Sequence, residues 1–229
     1  MKKNIMRSIL SLSMSMIILS SLVITNLTVF GETIIDGSTV DGSTVETTGV
    51  EEEQYSYKEF TYSVTDGKVT ISSCNPESVE VVVPNEIDGN LVTKIGVGAF
   101  YKCSVLTSIE LPNTIEEIEQ GAFAGCVELK EINLPNSVKT LGGAVFYGCK
   151  LLKAIEIPEG VEQLLDDTFG ECYALEDVIL PESLVYIGQS AFTLCTSLKE
   201  IEITKNVGVV APLVFIKCEK LEKILVDEE

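Results

Sequence analysis

The chain contains no histidine and no tryptophan, and its only arginine is Arg7. Without histidine there is no imidazole for general acid–base catalysis, for Ser-His or Cys-His nucleophile activation, or for metal ligation. Without tryptophan there is no indole platform on which a sugar ring could stack. Positive charge is scarce as well: beyond residue 31, 13 lysines face 35 acidic residues, a net charge of −22 against −19 for the whole chain. Such a chain repels phosphate backbones and anionic lipid, so no nucleic acid and no membrane surface is expected among its partners. No Cys-x-x-Cys pair is present to start a zinc site, and the Asp-Gly pairs at 36–37 and 41–42 lack the alternating oxygen ligands and closing glutamate of a calcium loop. No metal, cofactor or catalytic residue is therefore assigned, and the chain is read as not an enzyme.

A long apolar run occurs once, from Ile9 to Phe30, behind Lys2, Lys3 and Arg7 and ahead of Gly31 and Glu32. Residues 1–31 thus have the basic start, apolar body and small-residue end of an export signal peptide. The run is also long enough to span a bilayer, so retention as an anchor is the alternative. It does not end in a cysteine, which argues against a lipoprotein anchor. A secreted or cell-surface location is expected. Residues 32–54, with Asp36–Val40 repeated as Asp41–Val45, are a Gly, Ser and Thr-rich stretch of low complexity. Such a segment buries too little to order itself and is read as a disordered linker.

What the rest of the chain has is a period. Cys103, Cys126, Cys149, Cys172, Cys195 and Cys218 stand 23 residues apart, each with a phenylalanine three residues before it and a leucine three residues after it. Prolines recur at Pro112, Pro135, Pro158 and Pro181, with Thr204 in the fifth place. A period of about 20–29 residues with leucine-like positions at x-x-L-x-x-L-x-L spacing is the signature of a leucine-rich solenoid, in which only stacked neighbours make a core. The triplets before proline, such as Ile109-Glu110-Leu111, alternate in, out, in and predict a sheet of parallel strands, each ended by its proline. The stretch from Ile118 to Cys126 predicts a turn or a short helix. The six phenylalanines Phe100, Phe123, Phe146, Phe169, Phe192 and Phe215 should stack at about 5 Å. The cysteines are expected to be buried thiols filling space, because parallel side chains on adjacent rungs hold their Cβ atoms about 4.8 Å apart, beyond disulfide reach. The acidic pairs Glu116-Glu117 and Asp166-Asp167 are read as solvated surface.

Residues 55–94 differ from the repeats. Phe60, Tyr62 and Val64 alternate before Asp66-Gly67, and Val69 and Ile71 follow, which is a hairpin signal. Val79, Val81 and Val83 then precede Pro84 as a repeat strand would, and an insert surrounds Asp88-Gly89-Asn90. This segment is expected to be a capping hairpin and atypical repeat ahead of the solenoid at 95–229, which holds about six units.

The run Ile95-Gly96-Val97-Gly98-Ala99-Phe100-Tyr101-Lys102-Cys103, followed by Leu106, Ile109 and Leu111-Pro112, resembles the BspA-type, or treponemal-type, leucine-rich repeat. The resemblance extends from Phe60 to Val226. Departures are local: Glu119 and Leu165 replace the glycine, Val145, Thr168 and Val214 replace the alanine, and Ala211-Pro212 disturbs the last unit. The resemblance implies exported or surface-exposed proteins, several associated with adhesion to host or matrix proteins, and it supplies neither a ligand nor catalytic residues.

The expected function is that of an exported, non-enzymatic protein-binding module in adhesion or cell-surface interaction. The alternative is a structural or targeting segment of a larger surface protein. The candidate binding face consists of the outward strand residues Glu110, Glu131, Glu156, Asp177, Glu200 and Glu202, stacked one rung apart, which would suit extracellular or host protein surfaces of basic character. Behind the last strand, Ile224 to Val226, stand only Asp227-Glu228-Glu229, so an exposed strand edge and end-to-end self-association are expected there.

Overall fold

Each 23-residue period makes one rung, and successive rungs lie on each other through three separate sets of backbone hydrogen bonds. The structure, a computed structural model, describes residues 2–4 and 54–227. Residues 5–53, which hold most of the expected export signal and the expected linker, lie outside the described residues.

The first set is the expected parallel sheet. Its strands are Glu80–Val82, Ser108–Glu110, Glu131–Ile132, Ala154–Glu156, Asp177–Ile179, Glu200–Ile203 and Lys223–Asp227. Equivalent residues face each other without slippage, Ser108 opposite Glu131, Ala154 opposite Asp177 and Glu200 opposite Lys223. Proline has no N–H to continue a ladder, so strands followed by one stop after two or three residues. Where Thr204 replaces it, the strand runs to four residues and Ile203 still pairs with Val226.

The second set is a second parallel sheet that the sequence reading does not anticipate, and the stretch from Ile118 to Cys126 that follows its strand is a run of turns, as expected. Asn90–Ile95, Glu117–Ile118 and Thr140–Leu141 form one stretch of the sheet, and Gln163–Leu164, Tyr186–Ile187 and Val209–Val210 form another. Most of these strands have two residues and bury one of them, so no alternation marks them in the sequence.

The third set lies along the turns around each phenylalanine. Residues two before and two after it take left-handed backbone angles in every rung, as at Ala144 and Gly148 around Phe146, or Ser190 and Leu194 around Phe192. These two bends aim the ring inward and leave amides free for the next rung: Phe123 N donates to Val145 O at 2.9 Å and Phe146 N to Thr168 O at 2.9 Å.

The phenylalanine rings stack as expected. Centroids from Phe100 to Phe215 are separated by 5.1, 5.6, 5.5, 5.3 and 5.7 Å, with interplanar angles between 5° and 22°. Phe60 closes the near end edge-on, at 6.4 Å and 74° from Phe100. It belongs to the antiparallel hairpin Phe60–Thr65 and Lys68–Cys74, turned by Asp66 and Gly67 at positive φ. Lys68–Cys74 joins the second sheet beside Asn90–Ile95, and Gln54–Tyr57 pairs on the hairpin's other side. The insert at Asp88-Gly89 is a second tight hairpin, Glu86–Ile87 against Asn90 and Leu91. At the far end Lys2–Asn4, which belong to the expected export signal, run antiparallel to Lys223–Asp227, with Lys3 opposite Val226.

The departures at Glu119 and Leu165 are part of an alternation. The position after the inward Ile or Leu reads Gly96, Glu119, Gly142, Leu165, Gly188, Ala211, and the glycines sit where the rung below comes closest. A Cβ on Gly142 would lie 2.3 Å from the Gln120 amide nitrogen, and one on Gly188 2.6 Å from the Leu165 carbonyl carbon. Backbone cannot move aside as a side-chain end can, so Gly142→Ala is expected to destabilise by about 1–3 kcal/mol. Urea unfolding of this variant measures it, and an unchanged midpoint would contradict the close approach.

Candidate binding face

The inward side chains of the first sheet, Ile109, Ile132, Ile155, Ile201 and Ile224, are buried, which turns their strand neighbours out to solvent. Glu110, Glu131, Glu156, Asp177 and Glu200 are exposed as expected, while Glu202 is half-buried. The parallel register stacks them in two columns about 4.8 Å per rung apart, one through Glu131, Asp177 and Glu200, the other through Glu110, Glu156 and Glu202.

A third column went unread in the sequence. It is formed by Thr107, Lys130, Lys153, Glu176, Lys199 and Glu222, the residues just before the strands, five of which are exposed. Its signal was present: the buried leucine and the buried isoleucine of each unit are three residues apart, as in Leu106 and Ile109, so two successive residues between them must both face out. With this column and Glu80 the face carries nine carboxylates and four lysines among the described residues. The face is therefore anionic with an embedded lysine strip, and not uniformly acidic. Cations and anions meet across rungs at its far end, Lys223 with Glu200 at 3.2 Å and Lys199 with Glu176 at 4.0 Å. Both pairs are solvent-exposed and contribute at most about 1 kcal/mol each. Glu176, Asp177, Lys199, Glu200, Glu222 and Lys223 line a recess of about 270 Å³.

The acidic pairs outside this face lie at the surface as expected, Glu116 and Asp166 exposed and Glu117 and Asp167 half-buried, and they also make contacts between rungs. Glu117 binds Lys94 at 2.8 Å and Glu116 binds Lys68 at 3.1 Å. Asp166 accepts the Gln189 amide at 2.7 Å, and Glu119 accepts the Val97 amide at 3.0 Å. These carboxylates fasten one rung to the next. Burial and the adjacent Asp166 raise the Asp167 carboxyl above the ordinary aspartate range.

The cysteines are free thiols, buried except for half-buried Cys218. They do more than fill space. From Cys126 onward each donates its S–H to the carbonyl of the phenylalanine one rung back: Cys126 to Phe100 O at 3.1 Å, Cys149 to Phe123 O at 3.3 Å, Cys172 to Phe146 O at 3.1 Å, Cys195 to Phe169 O at 3.2 Å and Cys218 to Phe192 O at 3.0 Å. The same carbonyl accepts the amide of its own rung's cysteine, as Phe100 O does from Cys103 N at 3.1 Å. A small, largely apolar side chain with one weak donor suits this place.

Six consecutive copies of the BspA type leucine rich repeat region match residues 92–224. The chain belongs to the BspA-type leucine-rich repeat family. Solved structures of this architecture include a leucine-rich repeat protein from Bacteroides ovatus ATCC 8483, 30% identical, with a TM-score of 0.61 over 74% of this chain and 52% of that one. A leucine rich cell surface protein from Faecalibacterium prausnitzii A2-165 is 26% identical, with a TM-score of 0.65 over 77% of this chain and 55% of that one. This BspA-type chain thus spans about half the length of either relative. No curated protein matches it.

Proposed function

We propose that this BspA-type repeat chain is an exported, surface-associated module without enzymatic activity, which holds a basic protein surface on the outward face of its first sheet in adhesion or cell-surface contact. The observation that carries this reading is the stacking of Glu110, Glu131, Glu156, Asp177, Glu200 and Glu202 in two columns on one sheet face. Stacked rungs hold these charges in fixed register, and a fixed field with an excess of negative charge steers partners of the opposite sign. The basic, apolar start of the chain and the cell-surface description of the Faecalibacterium prausnitzii relative support the location.

Replacing Glu131, Glu156, Glu200 and Glu202 together with glutamine is expected to weaken attachment to cells or extracellular matrix while leaving the melting temperature nearly unchanged. Raised salt should weaken the wild-type protein in the same way, since the reach of such fields falls to about 8 Å at physiological ionic strength. Attachment indifferent to both changes would exclude this face. A second reading, a structural segment of a larger surface protein, is favoured by the chain's span of 52% and 55% of two relatives.

A further inference from the structure

One column of the face is apolar at Val82, Ile179 and Leu225, and of these Ile179 alone stands between two rungs that carry a carboxylate at the same phase. The phase that carries Glu110, Asn133, Glu156 and Glu202 carries Ile179 in the fourth repeat, and this side chain is 59% exposed, whereas the inward Ile155 beside it is 4% exposed. Glu156 stands directly opposite Ile179 in the parallel register, and Glu202 follows one rung on at the same phase. Asp177 is two residues back on the same strand and therefore on the same side of the sheet. Diagonally adjacent, Ala154 faces Asp177 and replaces the glutamate found there one rung earlier, so a low, apolar step opens beside the isoleucine. An exposed aliphatic side chain is ordinary by itself. An aliphatic side chain with an alanine step beside it, ringed by carboxylates at the middle of a charged face, has the anatomy of a binding centre: an apolar anchor inside a polar rim.

We infer that Ile179 and Ala154 form an apolar anchor point on the acidic face, and that the occupant is a cationic polypeptide segment with one aliphatic side chain at its centre. The inference rests on the reading of this face as a docking surface and specifies its partner. The charge pattern selects the occupant: lysines or arginines of the segment meet Glu156, Asp177 and Glu202, while its central aliphatic residue covers Ile179 and fills the step over Ala154. Charge alone supplies attraction and register, and the anchor adds the discrimination that a screened electrostatic field lacks.

The test uses the full-length chain and two synthetic peptides of alternating lysine and serine, one of them with its central serine replaced by leucine. Binding is followed by fluorescence anisotropy at low and at physiological salt. The leucine peptide is expected to bind about five- to tenfold more tightly than the serine peptide. Ile179→Ser should bring the two to parity without changing the affinity for the serine peptide, and Glu156→Gln with Glu202→Gln should weaken both alike. Equal affinity of the wild-type chain for the two peptides, or a preference that survives Ile179→Ser, overturns the anchor and leaves the charged docking face standing. Failure of both peptides to bind overturns the docking face and the anchor with it.

Discussion

Raising the pH from about 9 to about 11 is expected to unfold the solenoid, because its thiols can ionise in the unfolded chain and not in the folded one. Cys126, Cys149, Cys172 and Cys195 have no exposed surface, and burial pushes the Cys149 thiol up from 9.0 to about 12. The other three are raised by the same loss of solvation. Above pH 9 the unfolded state releases protons that the folded state keeps, so stability falls as pH rises. The contribution is complete below pH 9 and is lost between there and the folded-state values. Each thiol removes about 1.4 kcal/mol per pH unit in that window, and four remove about 5 kcal/mol per unit, comparable with the whole stability of many domains. Tyr62 acts with the same sign, its hydroxyl raised to about 12 chiefly by the hydrogen bond it donates to Asp88. Urea melts at a series of pH values from about 8 to about 10.5 measure the effect. Cys172→Ala should flatten the slope by less than a quarter, since Cys74, Cys103 and Cys218 are raised as well, and a wild-type midpoint constant across the range would refute thiol burial as the source.

Phe146→Ala is expected to cost about 3–5 kcal/mol, near the upper end for a single substitution. Phe146 has no exposed surface and stacks on Phe123 at 5.6 Å and on Phe169 at 5.5 Å, both at 5°. Removal of the ring leaves a void that two rigidly stacked rungs cannot close, and it breaks the ladder in the middle. Phe215→Ala at the far end should cost clearly less, since that ring is 8% exposed and stacks on Phe192 alone within the ladder. Denaturant unfolding of the two variants gives the comparison, and equal losses would show that the rings act as independent apolar fillers.

The first sheet, the aromatic ladder and the buried thiol column were legible because a solenoid repeats one environment every 23 residues. A residue type returning at one phase can only meet its own kind above and below. The hairpin at Asp66-Gly67 was legible for a local reason, the two left-handed residues of its turn. The second sheet was not, since strands such as Glu117–Ile118 have one buried residue each and leave no alternation to read. The lysine column through Lys130, Lys153 and Lys199 was legible only through the three-residue spacing of the buried leucine and isoleucine, because strand alternation does not apply to the residue before the strand starts.

By itself, the amino-acid order determined the period, the phase of each side chain and therefore which residues face in, since stacking fixes neighbours along the solenoid axis without reference to anything distant. Only the tertiary structure decided what happens between rungs: that the thiols donate to phenylalanine carbonyls, that Gly142 and Gly188 alternate with bulkier residues for clearance, that Asp166 and Glu119 tie adjacent backbones, and that the acids surround Ile179. Those relations depend on the offset between one rung and the next, and that offset is set by backbone angles and ladder register, which no residue type announces in the sequence.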